Sequence, residues 1–83
     1  MATSIAAIMA AELRGQRGRR RLTQAQLAAL SGVSYRAVVR LENAQRSATV
    51  EQLLALADAL DVPATALLPD LGVDPSTRSK GAA

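Results

Sequence analysis

One segment constrains the fold of this 83-residue chain more than any other, and it runs from Gln24 to Asn43 as QAQLAALSGVSYRAVVRLEN. Its small and apolar residues recur at the spacing of α-helices, and Gly32 interrupts them. Glycine takes positive φ without a Cβ penalty, so this interruption predicts a tight turn. The small side chain of Ala28 suits a close crossing, where a larger residue would hold the helix backbones apart. We therefore expect two short helices that cross through a glycine turn.

Both helices carry residues typical of a first turn. Thr23 and Gln26 form a Ser/Thr-x-x-Glu/Gln capping box before the first helix, and Ser34 can cap the second by accepting a backbone N–H. Apolar residues of the first helix are predicted to share one face: Leu27, Ala28 and Leu30. In the second helix Val38 and Leu41 can face the core with Val33. The other side of that helix then gathers Tyr35, Arg36, Val39, Arg40 and Asn43.

Positive charge coincides with these helices. Residues 12–46 hold eight arginines and two glutamates, a net charge of +6, whereas residues 51–74 hold five acidic residues and no base. This asymmetry suggests one surface for a polyanion and another for a different partner; alternatively, the arginines only solvate a helical surface. The densest cluster is Arg19, Arg20 and Arg21, which could form either a solvated loop or a phosphate clamp.

Tyr35, the chain's one aromatic residue, is predicted to lie on the outer face of the second helix. This position favours a ligand contact over simple packing against the turn.

The composition disfavours catalysis and membrane insertion. The chain has no Cys and no His, so it lacks disulfides, thiolate metal sites and the commonest acid/base group at neutral pH. We see no catalytic constellation, and we predict no catalytic residue, metal site or cofactor and no enzymatic activity. The apolar run from Ile5 to Ala11 is too short to span a bilayer and no basic region precedes it. A soluble, cytoplasmic protein without membrane contact is expected.

Hydrophobic periodicity predicts an all-α fold, a compact bundle of five short helices. Helix 1 should run over residues 4–19, and helix 4 should begin at Thr49 with a second capping box through Gln52. The inward residues predicted for helix 4 are Val50, Leu53, Leu54, Ala57 and Leu60. Helix 5 should begin near Pro63 and end before Pro69. It would bury Leu67 and Leu68.

Residues 1–71 are predicted to form the folded domain and residues 72–83, rich in turn formers, a flexible C-terminal tail. Three further leucines could either build a dimer surface or complete a monomeric core: Leu56, Leu67 and Leu71.

Taken together, these motifs resemble the helix-turn-helix of the Cro and lambda-repressor type, the XRE family. The resemblance covers residues 13–68 and includes Leu22-Thr23-Gln24, Leu27-Ala28, Gly32-Val33-Ser34, Leu41-Glu42 and the leucine- and alanine-rich segment 53–62. It implies a lambda-repressor-like fold in which helices 2 and 3 form the motif and residues 34–43 lie in the major groove of DNA. Residues that depart from the family pattern are Gln16, Arg21, Ala44 and Ala48; Arg21 and Ala44 stand where glycine is usual.

The resemblance also implies site residues. Base-reading side chains would be Tyr35, Arg36, Val39 and Arg40, and an arginine can donate two parallel bonds to guanine O6 and N7. DNA-backbone contacts would come from Gln24, Ser34, Asn43 and Arg46. Gln24 would hold a phosphate at the positive end of helix 2. Arg17 and Glu42 match a family ion pair between helix 1 and the end of helix 3.

Two functions of different classes are consistent with the sequence. The first is a sequence-specific, double-stranded DNA-binding transcriptional regulator, most simply a repressor, that acts as a homodimer on a two-fold operator. A partner subunit would help to stabilise the small core. The alternative is an antitoxin of a toxin-antitoxin pair, whose acidic C-terminal half binds a partner protein while the motif autoregulates its operon.

Overall fold

The computed structural model describes residues 4–68, which form four α-helices and one 3₁₀ helix. The α-helices are α1 (Ile5–Arg19), α2 (Gln24–Ser31), α3 (Tyr35–Glu42) and α4 (Val50–Leu60), and the 3₁₀ helix is Ala64–Leu67. This part of the chain contains no strand, so the all-α prediction is confirmed, with the fifth helix reduced to a 3₁₀ turn. The predicted domain boundary at residue 71 and the tail 72–83 lie outside the described residues. Between residues 4 and 68, no helix is long and apolar enough to cross a membrane.

Each α-helix is preceded by a residue whose side-chain hydroxyl accepts a hydrogen bond from a backbone N–H of the first turn. These residues are Ser4 for α1, Thr23 for α2, Ser34 for α3 and Thr49 for α4. At Thr23 the capping box is complete: Oγ1 accepts from the Gln26 N–H at 3.0 Å, and Gln26 Oε1 accepts from the Thr23 N–H at 2.8 Å. Thr49 and Gln52 form the same reciprocal pair, both bonds being 3.1 Å long. These caps satisfy N–H groups that have no partner inside the helix, and so fix where each helix starts.

Three helices end in a Schellman motif whose left-handed residue carries a side chain: Arg21 (φ 55°) after α1, Ala44 (φ 58°) after α3 and Asp61 (φ 56°) after α4. After α1, the Leu22 N–H donates to the Arg17 carbonyl at 3.2 Å and the Arg21 N–H to the Gly18 carbonyl at 3.0 Å. The same two bonds recur after α3 and α4. α2 instead ends at Gly32, with φ 77°. Arg21 and Ala44, which stand where the XRE family usually has glycine, therefore adopt the left-handed conformation although each carries a side chain.

Replacing Ala44 by glycine is expected to raise the free energy of unfolding by up to about 1.5 kcal/mol. The left-handed conformation costs a residue with a Cβ about 1–2 kcal/mol. The greater freedom of glycine in the unfolded chain offsets about 0.4–1 kcal/mol of that gain. Urea unfolding followed by helical circular dichroism measures the difference. Ala11→Gly, at an exposed site inside α1, is the control and should lower stability by about 1 kcal/mol. An A44G protein as unstable as A11G would contradict the account.

The core lies between the helices: α2 packs against α3 and α4, the 3₁₀ helix packs against α1 and α4, and α1 packs against α3. Its buried apolar residues form one cluster: Leu13, Leu27, Val33, Val38, Leu41, Leu56, Ala57, Leu60 and Leu67. The inward residues predicted for α3 are among them, as are Leu27, Ala57 and Leu60. Leu56 and Leu67 also belong to this core, so they are removed as candidates for a dimer surface, and Leu71 lies outside the described residues.

Four leucine or valine residues predicted to face inward are exposed: Leu30 (62%), Val50 (72%), Leu54 (55%) and Leu68 (40%). Successive helical residues differ by about 100° in direction. In α2 the core lies between the directions of Leu27 and Ala28, which turns Leu30 towards solvent. In α4 the buried stripe follows Leu56 and Leu60, which leaves Leu54 on another side of the helix. Leu68 follows the last residue of the 3₁₀ helix in extended conformation.

Candidate nucleic-acid interface

The outer face of α3 brings together all four predicted base-reading residues. Tyr35, Arg36, Val39 and Arg40 line one shallow groove. Tyr35 is 56% exposed, both arginines are exposed, and Val39 is half-buried. Val38 and Leu41, on the other side of the helix, are buried in the core and therefore fix which face of α3 meets solvent.

Gln45 also lines this groove, although it is not among the predicted base-reading residues. It follows the left-handed residue Ala44, and its N–H donates to the Arg40 carbonyl at 3.0 Å. The Schellman motif thereby turns the chain back beside the last turn of α3. A glutamine amide can pair with N6 and N7 of adenine, so Gln45 has the chemistry of a base-reading residue. A predicted helix end at Asn43 could have indicated Gln45. In a Schellman motif, the residue two positions after the C-cap donates its N–H back to the last turn of the helix.

A partly buried ion pair joins α1 to α3. Arg17 Nε donates to Glu42 Oε2 at 2.6 Å and Arg17 Nη2 donates to Oε1 at 2.9 Å, a two-point arrangement that is stronger than a single bond. Glu42 is 1% exposed. The hydrogen bonds to Glu42 raise the pKa of Arg17 above its ordinary value, against the opposing effect of burial. The guanidinium also donates from Nη1 to the Leu22 carbonyl at 2.8 Å, which ties the α1–α2 loop to the same pair.

The side chain of Gln24, which is predicted to hold a phosphate, is hydrogen-bonded to Glu42 of this ion pair. Its Nε2 donates to Glu42 Oε1 at 3.0 Å, and the side chain is half-buried. The amide keeps a second N–H, and the first backbone N–H groups of α2 lie beside it. The phosphate contact of Gln24 stays a prediction. The structure shows that Glu42 orients the Gln24 amide.

The other predicted backbone contacts lie at the two ends of α3. Ser34 is at its N-terminus, where Oγ accepts from the Ala37 N–H at 3.1 Å and leaves the hydroxyl hydrogen available to donate. Asn43 and Arg46 are exposed after its C-terminus. The eight residues of α3 span about 12 Å, so the structure places these groups on either side of the groove and does not cluster them.

The groove on α3 is positively charged because Arg36 and Arg40 line it, whereas Glu42, the acidic residue of α3, is buried and paired with Arg17. Glu51 of α4 lies beside Ser34 and not in this groove. Arg36, Arg40 and Arg46 are exposed. In contrast, α4 and its end carry exposed acidic residues: Glu51, Asp58 and Asp61. A polyanion such as DNA is therefore attracted to the α3 side of the domain.

Comparison with known proteins gives matches of sequence and fold. The restriction-modification controller protein C.AhdI from Aeromonas hydrophila is 34% identical over 75% of this chain and 94% of its own, with a TM-score of 0.72. An HTH_3 family transcriptional regulator from Vibrio cholerae is 26% identical over 92% of this chain and 41% of its own, with a TM-score of 0.73. HppE, solved with cobalt(II) and substrate, is 29% identical over 86% of this chain and 40% of its own, with a TM-score of 0.74. No match was found among the curated proteins.

The helix-turn-helix family model HTH_3 matches residues 13–67, from the middle of α1 to the end of the 3₁₀ helix. That span includes the glycine turn between α2 and α3, the exposed face of α3 and both partners of the Arg17–Glu42 ion pair. It also exceeds half of the chain. This protein therefore belongs to the HTH_3 family of XRE-type helix-turn-helix proteins.

Proposed function

We propose that this protein is a sequence-specific, double-stranded DNA-binding transcriptional regulator, and most simply a repressor. The observation that carries the proposal is the groove on α3, where two arginines, a tyrosine, a valine and Gln45 lie together on an exposed, basic surface. Residues of this kind read base edges in the major groove, which is wide enough to admit an α-helix. C.AhdI, which the chain matches over most of both proteins, is a restriction-modification controller and supports a regulatory role.

In the proposed complex, α3 enters the major groove and α2 crosses the phosphate backbone. Arg36 and Arg40 would each donate two parallel bonds to a guanine, and Val39 would contact a thymine methyl group. Gln24 and the first N–H groups of α2 would hold a phosphate and thereby fix the position of α3 along the duplex.

We further propose that the protein acts as a homodimer in the cytoplasm. A two-fold dimer would place two copies of α3 about one helical turn apart on an operator with matching symmetry. The small size of the domain supports this proposal, because short chains bury a smaller share of their surface and gain from a partner subunit. A dimer on its operator would repress by blocking access to the promoter.

The proposed role is binding and not catalysis. Within residues 4–68 no group of three or more His, Cys, Asp or Glu side chains is placed to hold a metal ion. The likeness to HppE covers 40% of that chain. It therefore supports a shared domain and gives no reason to assign the activity of HppE to this protein.

A second candidate function is an antitoxin that binds a partner protein and autoregulates its operon. The exposed acidic residues on α4 and at its end favour it, since Glu51, Asp58 and Asp61 do not line the groove on α3. Co-expression with any small reading frame that adjoins or overlaps the gene tests it: rescue of growth and co-purification would support an antitoxin. An isolated gene would speak against it.

The salt dependence of binding tests the proposed function directly. A duplex selected by the protein from a random DNA pool should bind with a slope of log affinity against log salt of roughly −4 to −5 per half-site, if about five phosphates are neutralised. Fluorescence anisotropy of the labelled duplex measures this slope. A scrambled duplex of equal length should bind more weakly at every salt concentration. A flat salt dependence, or equal affinity for both duplexes, would contradict the proposal.

A further inference from the structure

We infer that the side chain of Arg21 binds a DNA phosphate next to the one assigned to Gln24, an inference that rests on the proposed function. The sequence left open whether the cluster Arg19, Arg20 and Arg21 is a solvated loop or a phosphate clamp. In the structure Arg19 is the last residue of α1, Arg20 lies near Asp61, and of the three only Arg21 has a left-handed backbone.

The backbone at Arg21 is the first observation. Its φ is 55°, in the left-handed region that favours glycine, and its N–H closes the Schellman motif after α1. Glycine would complete this turn with less strain, so the turn itself does not account for a long basic side chain. Residues held in such strained conformations are enriched at binding sites.

The position of the loop is the second observation. One guanidinium, that of Arg17, binds both the Leu22 carbonyl and the Glu42 carboxylate, which in turn binds Gln24. The Leu22 carbonyl and the Glu42 carboxylate therefore bind the same guanidinium group, and Glu42 also binds Gln24. The end of the α1–α2 loop thus lies close to Gln24. Arg21 is the residue before Leu22, so it leaves the backbone beside the start of α2, at the edge of the proposed DNA surface.

The third observation is that the neighbouring arginine is directed elsewhere. Arg20 Nη2 lies 3.7 Å from Asp61 Oδ2 at the end of α4. Arg21 is exposed, and its side chain makes no hydrogen bond or ion pair with any residue from 4 to 68. Backbone strain alone does not mark a contact, because Ala44 has φ 58° and no functional group. Arg21 combines the strain with an exposed charge and a place at the DNA edge.

A structural role competes with this inference, since a positive charge near the C-terminus of α1 is favourable for the helix dipole. The two roles differ in what they change. A dipole effect alters stability alone, whereas a phosphate contact alters affinity for every duplex and reduces its salt dependence.

The experiment compares R21G, R21K, A44G and R20A with the parent protein. Glycine suits the backbone at residue 21, so R21G removes the charge without adding strain, and A44G makes the same backbone change without altering charge. Each protein is titrated against its selected duplex and a scrambled duplex over a range of salt, and thermal unfolding checks that each is folded. R21G should weaken binding to both duplexes by roughly 3- to 10-fold and make the salt slope shallower by about 0.9 per subunit. R21K, A44G and R20A should keep the parent slope.

Unchanged affinity and slope in R21G, with the parent protein binding its duplex, would overturn the inference and leave the proposed function standing. An equal loss in R20A would also overturn it, because general positive charge and not a contact at Arg21 would then explain the effect. If the parent protein binds neither duplex, the proposed function itself fails, and this inference fails with it.

Discussion

Replacing Arg17 by alanine is expected to lower the free energy of unfolding by about 3–5 kcal/mol, because the change leaves a buried charge without its partner. Glu42 is 1% exposed, and after the substitution its carboxylate would keep a bond from Gln24 alone. The Leu22 carbonyl would lose its donor as well. Domains have total stabilities of about 5–15 kcal/mol, so a variant of so small a domain would be close to unfolding. Urea unfolding followed by circular dichroism measures the change.

Arg14→Ala is the matched control for this prediction. Arg14 lies three residues earlier in α1, is exposed and has no partner among residues 4–68, so its removal should change stability by less than about 0.5 kcal/mol. A second variant, R17L with E42L, removes both charges and should recover much of the lost stability. Equal stability of R17A and R14A would show that the ion pair contributes nothing to the fold.

Replacing Arg40 by alanine is expected to weaken operator binding by about 1–3 kcal/mol, which corresponds to roughly 5- to 150-fold in affinity. The loss should concentrate at one base pair, where the variant no longer prefers guanine. Arg40 is exposed, lines the groove and is not part of the core, so the fold should be retained. Binding of duplexes that carry each of the four base pairs at every operator position measures both effects.

Gln24→Ala provides the contrast, because a phosphate contact carries no sequence information. It should weaken all duplexes by a similar factor and leave base preferences unchanged. The same duplex panel distinguishes the two variants. If R40A retained every base preference of the parent protein, Arg40 would not be a base-reading residue.

Much of the fold could be predicted because its signals are local. The capping boxes at Thr23 and Thr49 mark helix starts through residues three apart, and Gly32 marks the turn after α2. The faces of α3 were also assigned correctly. Its apolar and charged residues separate cleanly, so the buried side follows from the sequence.

The inward residues of α2 and α4 could not be predicted as well. α4 has leucine at residues 53, 54, 56 and 60, which point in several directions, so its composition does not select one face. The choice depends on where α2 and the 3₁₀ helix lie against α4, and that is a property of the tertiary fold. For the same reason, the exposure of Leu54 and the burial of Leu56 were not evident from periodicity.

The predicted site residues depended on resemblance for their roles and on the structure for their surroundings. Arg17 and Glu42 are separated by 25 positions, and no local pattern links them. The bond from Gln24 to Glu42 depends on the packing of α2 against α3, so a phosphate role gave no hint of it. Gln45 was missed because the left-handed backbone at Ala44, which returns the chain to α3, occurs in a residue that rarely adopts it.

Tyr35 gives the protein an optical property of its own. The chain contains one tyrosine and no tryptophan or phenylalanine, and this ring lies in the groove on α3. Its intrinsic fluorescence therefore originates at the proposed DNA surface and nowhere else in the chain. Quenching of that emission should report a bound duplex without any attached dye, while the aliphatic interior, which holds no chromophore, contributes nothing to the signal.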